Sequence, residues 1–234
     1  MTDPYLGQMK AVLHELAATL PIVDLLHDIP RYNVKAASYL LPALSNSFPK
    51  ESVFLCVIDP GVGSERYGCV ARVDGRWYVG PENGLFDILM SHADKVEYWR
   101  LPLADIHTSA TFHGRDVFAP VAAALAMKQE PVDWVGVDLS DITSVFQQQD
   151  LAEIIYIDHY GNLITGLRFD HLPEGVRLRI GKKPVNFART FSDVPESSAL
   201  AYRNSNGLLE IAVNKGNAAE YFNVSVGEHI LFTV

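Results

Sequence analysis

The sequence is short of cysteine, of long apolar runs and of excess positive charge, and each shortage closes off a class of protein. Only two of its 234 residues are cysteines, Cys56 and Cys69, both inside apolar strand-like stretches. That count argues against a disulfide-stapled framework and leads us to expect two buried, reduced thiols. No apolar run approaches the roughly 20 residues needed to span a bilayer. The Met-Thr-Asp-Pro start has neither a basic n-region nor an apolar h-region, so a cytoplasmic location is expected. With 19 basic against 28 acidic residues and a net charge of −9, the chain shows no electrostatic footprint for nucleic acid or for an anionic membrane. Gly61-Val-Gly63 lacks the Lys-Ser/Thr of a phosphate-binding loop, and no Gly-x-Gly-x-x-Gly opens a helix. His27, His92, His107, His113 and His159 fit no HExxH or CxxC-type spacing, so no catalytic metal and no cofactor are expected.

What is present suits a large core, with 48% hydrophobic residues in a chain long enough for one large domain or two modest ones. Residues 5–20 carry apolar side chains at helical spacing up to Pro21, residues 22–26 read as a strand, 34–44 as a helix and 53–58 as a buried strand. Strand, helix and strand in succession predict an α/β domain with a mostly parallel sheet flanked by helices. Asp74-Gly75, between apolar runs at 70–73 and 77–79, is a two-residue hairpin signal. Further on, 85–91 reads as a helix, 96–100 as a strand and 121–127 as a helix. The composition turns polar at Gln147-Gln-Gln-Asp150, placing a boundary near residue 145. Runs at 153–157, 162–169, 176–180, 199–203, 208–213 and 229–234, separated by Gly, Pro and Asn, predict a small antiparallel β-barrel. The expected domains are residues 1–145 and 151–234.

Two stretches carry chemistry. The run 53–58 stops at Asp59-Pro-Gly, which puts a carboxylate at a strand's carboxyl end, where open α/β sheets bind ligands. Arg66, beyond a Gly-rich loop, is able to fold back toward it. Residues 109–120 then pack a His, an Arg, an Asp and several hydroxyls before an apolar helix. Asp59, Arg66 and His113 together offer a carboxylate orienter, a cation and a base. Taken alone, the first stretch reads sooner as a turn-capping Asp and a solvent Arg, because short motifs are weak; the second stretch shifts the balance.

The motifs Asp59-Pro-Gly-Val-Gly, Pro81-Glu-Asn-Gly-Leu85, Thr111-Phe-His-Gly-Arg-Asp116, Asp158-His-Tyr-Gly-Asn-Leu-Ile-Thr165, Asn204-Ser-Asn-Gly and Gly216-Asn-Ala-Ala219 occur together and in order. In this the chain resembles the S-adenosylmethionine hydrolases, or hydroxide adenosyltransferases, which are homologous to the fluorinase and chlorinase. The resemblance covers nearly the whole sequence. It implies an α/β amino-terminal domain, a β-barrel carboxyl-terminal domain, and hydrolysis of S-adenosylmethionine to adenosine and methionine by water at C5′. Asp59, Arg66 and His113 then form the water-activating set, with no cofactor. The implied substrate contacts are Asp3, Tyr32 near the ribose, and Asp158 on the methionine ammonium. Tyr160 and Asn162 lie in the same turn as Asp158, and Phe191 would stack on adenine. Ser205 and Asn206 fall where the fluorinase holds the methionine carboxylate with a Ser-Arg pair. Glu210, Val213, Asn217 and Ala218 would face the adenine edge. The resemblance also implies a homotrimer with its sites between subunits.

Two departures bear on activity. The fluorinase has a Ser where this chain has Gly114 and a Tyr where it has Asp59, and a carboxylate favours water over halide. Family members begin with a strand ending in Thr-Asp-Phe-Gly, whose Asp binds the ribose diol, and this chain enters the alignment only at residues 3–10. Either the assigned start omits about ten residues, the reach of a strand and its turn, or the protein lacks that strand and its ribose ligand, a loss that would weaken both fold and affinity. Two other readings therefore stay open: a non-catalytic binder of adenosine or S-adenosylmethionine, and a halogenase.

Overall fold

At Asp74 and Gly75 the backbone takes φ values of 48° and 85°, the left-handed pair that a two-residue hairpin turn requires, and this reversal organises the first sheet. The computed structural model describes residues 3–101, 103, 109–129, 134–147 and 149–233. They fall into two units, Met1–Ser38 with Ser47–Gln148, and Tyr39–Asn46 with Gln149–Val234.

The first unit opens with α1 (Pro4–Leu16), where the Asp3 carboxylate accepts the Tyr5 N–H at 3.1 Å and Pro4 occupies the first turn. This is the usual chemistry of a helix start. The helix ends four residues short of the expected Leu20. After α2 (Val34–Ser45), whose residues from Tyr39 onward belong to the second unit, come β1 (Val53–Leu55), β2 (Gly68–Val73), β3 (Arg76–Pro81), α3 (Asp87–Ser91), β4 (Val96–Leu101), α4 (Ala119–Ala126) and β5 (Val135–Gly136). The strand order is β1-β3-β2-β4-β5.

The expected mostly parallel sheet is corrected here. Only β1 and β3 run parallel; β2 is antiparallel to both β3 and β4, and β4 to β5. The hairpin at Asp74-Gly75 forces one of these reversals, and β4, returning after α3, pairs with the far edge of β2 in the direction of β3. The strand expected at 22–26 is also corrected, because that stretch carries no strand pairing in the structure. Val23 and Leu25 are 66% and 36% exposed, so the apolar run has no sheet neighbour to bury it. Beneath the sheet, Val70, Val79, Leu101, Val117, Phe118, Ala122 and Leu125 form one core. A π-helical turn, Gly114–Phe118, leads directly into α4.

The second unit holds β6 (Leu151–Ile157), β7 (Leu163–Arg168), β8 (Arg177–Ile180), β9 (Lys183–Phe187), β10 (Ala199–Arg203), β11 (Leu208–Val213), α5 (Ala218–Phe222) and β12 (Leu231–Thr233). Their order is β12-β8-β9-β10-β11-β7-β6. All neighbours are antiparallel except β9 and β10, so the expected antiparallel barrel becomes a curled, mixed half-barrel. The curl brings residues 227–230 back onto β6, with the Ile154 N–H donating to Glu228 O at 2.9 Å and the Ile230 N–H to Ala152 O at 2.9 Å. Ile154, Leu163, Leu178, Leu209 and Ile211 lie at its centre. Of the final expected strand, Val234 lies outside the described residues, as does His107. No helix among the described residues is long and apolar enough to cross a membrane.

Candidate functional site

Beyond Leu55 the chain stays extended, the Cys56 N–H donating to Val79 O at 2.9 Å, and then turns at Asp59-Pro60-Gly61. Gly63 has φ +83°, and a Cβ there would sit 2.7 Å from the Ala110 carbonyl oxygen. Glycine is thus what lets the 59–66 loop lie against the backbone that leads to His113. Arg66 folds back as a fork. Its Nε donates to Asp59 Oδ1 at 2.8 Å, its Nη2 donates to Asp59 Oδ2, and its Nη1 donates to Tyr67 O at 3.0 Å. The two side chains are only 6% (Asp59) and 10% (Arg66) exposed, a desolvated bidentate pair of the strong type.

The same Nη2 lies 3.3 Å from His113 Nδ1. A guanidinium only donates, so Nδ1 is the acceptor and the proton of neutral His113 is assigned to Nε2. Burial, and after it the Arg66 charge, pushes the His113 pKa below its ordinary value. The imidazole is therefore neutral at pH 7. Asp116 holds the approach to this turn, accepting from Arg115 and from the Ser109 N–H at 2.9 Å. The Arg115 hydrogen bond, ahead of other causes, keeps the Asp116 carboxyl below its usual range. The structure thus brings Asp59, Arg66 and His113 into one contiguous set: a buried carboxylate, a fixed cation and a neutral imidazole.

The second unit carries a different cluster. Asp158 Oδ1 accepts the N–H groups of Tyr160 at 2.9 Å and Asn162 at 2.8 Å, and its Oδ2 accepts Asn162 Nδ2 at 2.9 Å. Glu210, on β11, is 7% exposed and takes hydrogen bonds from the Tyr202 hydroxyl and, at 3.0 Å, from Asn204 Nδ2. Burial pushes its carboxyl above the ordinary range, with the Asp158 charge adding to the effect. Among the described residues neither carboxylate has an ion-pair partner. Phe191 meets the Tyr202 ring edge-on at 5.4 Å.

The remaining expected contacts are spread more widely. Ser205 and Asn206 are exposed on the turn between β10 and β11. Asn217 caps α5 through the Glu220 N–H at 3.0 Å. Val213 and Ala218 are buried in the core of the second unit, and the Val213 carbonyl accepts the Gly216 N–H at 3.0 Å. Tyr160 and Tyr32 are exposed, Tyr32 with φ +63°, and Asp3 caps α1. Two residues were missed. Tyr202 pairs directly with Glu210 in the β10–β11 register, a placement the hairpin pattern signals. Asn204 holds Glu210 while its Oδ1 accepts from Asn206 and Leu208 N–H, a typical turn role for Asn. Among the described residues no three His, Cys, Asp or Glu side chains converge in a metal-binding group.

Comparison with known proteins bears on both units. Residues 1–136 match the family model of the SAM hydroxide adenosyltransferase N-terminal domain, and residues 152–231 that of its C-terminal domain. An (R)-S-adenosyl-L-methionine hydrolase from Thermus thermophilus is 37% identical, over 97% of this chain and 93% of its own length. A fluorinase from Actinopolyspora mzabensis is more distant, 24% identical over 99% and 93%. The crystal structure of an uncharacterized conserved protein from Thermotoga maritima superposes with a TM-score of 0.87, at 32% identity, over 99% of this chain and 96% of that one.

Proposed function

The chain belongs to the SAM hydroxide adenosyltransferase family, and on that premise we propose that it hydrolyses S-adenosyl-L-methionine to adenosine and L-methionine. The observation that carries this reading is the buried set in which Asp59 grips Arg66 and Arg66 faces His113. In the reaction, water attacks C5′ as the C5′–sulfur bond breaks. The bonding pair passes to sulfur, methionine leaves as a neutral thioether, and the water gives up one proton. The sulfonium needs no acid to depart, whereas water, with a bulk pKa of about 15.7, needs help. In this reading Arg66 stabilises developing hydroxide by charge, Asp59 orients that cation and the water, and His113 receives or relays the proton.

A halide in the same place would meet the Asp59 carboxylate. Position 114 is also tight, since a Cβ there would approach Met9 Sδ at 3.0 Å and Val57 Cγ1 at 3.2 Å, so a serine would need these side chains to give by a few tenths of an ångström. Incubation with S-adenosylmethionine and high chloride, read by chromatography, is expected to give adenosine alone. A chlorinated nucleoside as the main product overturns the assignment, and binding without turnover would make the protein a carrier.

The finer parts of the reading concern the substrate's other end and the assembly. We take residues 1–145 as the water-activating part and residues 151–234 as the part that contacts substrate, with Asp158 on the methionine ammonium, Asn162 and Glu210 on the nucleoside, and Phe191 against adenine. A cytoplasmic setting suits the unpaired Cys56 and Cys69. A homotrimer in which each site joins the first part of one subunit to the second part of its neighbour closes head-to-tail contacts. Mixing an Asp59→Asn, His113→Ala variant with an Asn162→Ala, Ser205→Ala variant should restore activity in reassembled trimers. A monomer by light scattering, with no restored activity, rules the trimer out.

A further inference from the structure

Asn83, in the turn after β3, makes two side-chain hydrogen bonds with separate consequences. Its Oδ1 accepts the Leu85 N–H at 3.3 Å, a contact inside its own turn that only shapes it. Its Nδ2 reaches back to the carbonyl of Ile58 at 2.9 Å, which belongs to the peptide joining Ile58 to Asp59. The ladder between β1 and β3 ends at Leu55 and Val79, and the Cys56 N–H bond to Val79 O is the last of that run. Among the described residues, the Asn83 amide is the bond that holds the backbone between Cys56 and Asp59 to the turn after β3.

The same turn also grips the other partner. The Glu82 N–H donates at 3.1 Å to Tyr67 O, the carbonyl that Arg66 Nη1 uses. The Glu82 carboxylate holds Arg100 at 2.6–3.0 Å, and Arg100 lies 5.1 Å over the Tyr67 ring. The turn itself has little room to move. Gly84, at φ +92°, leaves only 2.7 Å between a would-be Cβ and the Phe146 ring. A rigid support behind the reacting groups matters because a displacement of about 1 Å can cost about a hundredfold in rate.

We infer that Asn83 is a positioning residue for the hydrolysis, its amide N–H on the Ile58 carbonyl fixing the Asp59 carboxylate and, through it, Arg66. The inference rests on the catalytic reading of Asp59. The two bonds of Asn83 can be separated by substitution. Asn83→Asp keeps the acceptor for Leu85 but loses the donor to Ile58. Asn83→Ser keeps a short acceptor and cannot reach Ile58.

Steady-state kinetics on S-adenosylmethionine with the full chain are expected to show kcat lowered at least about tenfold in both variants, with KM within about threefold of the parent. In an Asp59→Asn background, Asn83→Asp should cost less than about twofold, because its effect passes through the carboxylate. Either folded variant with parental kcat, or a loss carried wholly by KM, overturns the inference. Asp59→Asn measured alone separates the two claims. If it retains full turnover, the site reading falls and the inference with it. If it is inactive while the Asn83 variants run normally, only the positioning role is wrong.

Discussion

The two polar clusters solve the problem of a buried carboxylate in opposite ways. In the first unit Asp59 is matched by a guanidinium in a bidentate grip, and the charge left facing His113 is positive. In the second, the donors to Asp158 and Glu210 among the described residues are neutral, namely backbone N–H groups, amides and a phenol. Neutral donors meet the hydrogen-bonding requirement without cancelling the charge. The first cluster is thus electrostatically complete before any ligand arrives, as preorganised catalytic groups should be. The second remains short of a cation, and a ligand bearing an ammonium would supply one.

Removing Arg66 breaks this contrast most severely. Arg66→Ala leaves Asp59 buried without its counter-charge, and loss of one partner of a buried pair costs about 3–5 kcal/mol. Turnover should fall by at least about a hundredfold. Arg66→Lys, unable to form the fork, should recover stability more than rate. Thermal melts and product assays on both variants check this, and an Arg66→Ala variant of parental stability would mean the pair is not the compensated unit described.

The pH profile tests the same cluster from the side of His113. Burial and Arg66 hold its pKa below the ordinary 6.5, so the neutral form persists as pH falls past that value. The acid limb of kcat/KM should therefore have its midpoint below pH 6.5 and should flatten in His113→Asn. Stability shifts in the same direction. The folded state binds its proton less tightly than the unfolded chain, so the contribution of neutral His113 is complete above pH 6.5 and is lost as pH falls toward the folded pKa. An acid limb centred above 6.5 would show that the titrating group is not His113 in this buried setting beside Arg66.

Much of this cluster was legible in the sequence, because an apolar run that stops at Asp-Pro-Gly fixes where a carboxylate must stand. The hairpin at Asp74-Gly75 and the limits of β10 and β11 were legible for the same local reason. Strand direction was not, since whether β4 runs with or against β2 depends on partners far along the chain. The run at 22–26 reads as a strand by pattern yet has no neighbour to pair with. β9 escaped notice because Val185 is its only buried side chain. The role of Tyr202 comes from a register, opposite Glu210, rather than from a motif, and Asn204, though it opens the Asn204-Ser-Asn-Gly motif, reads there as a turn former, its bond to Glu210 being visible only in the structure.

In the second cluster, Asp158→Asn keeps an oxygen for the Tyr160 and Asn162 N–H groups while removing the charge. If that charge awaits the methionine ammonium, KM for S-adenosylmethionine should rise about tenfold or more, the range of a charge-assisted hydrogen bond, with kcat within about twofold. Adenosine, which has no ammonium, should bind as before. Calorimetry with adenosine and with S-adenosylmethionine separates the cases, and equal weakening of both would place the effect in the turn rather than in its charge.

The smallest expected effect is on stability, at Glu210. Burial raises its pKa above 4.5 in spite of the bonds from Tyr202 and Asn204, so the folded chain binds this proton more tightly than the unfolded one. The sign follows directly: stability from this group is greatest below the unfolded-state value, declines as pH rises to the folded pKa, and stays reduced above it. Glu210→Gln removes the charge that burial penalises and keeps polar atoms for both neighbours. At pH 8 the variant should melt about 2–4 °C higher, corresponding to about 1 kcal/mol in a chain of this size, and the gap should close near pH 4. If Glu210→Gln instead lowered the melting temperature at pH 8, the second carboxylate would be as well compensated as the first, and the division between a completed cluster and a waiting one would fail.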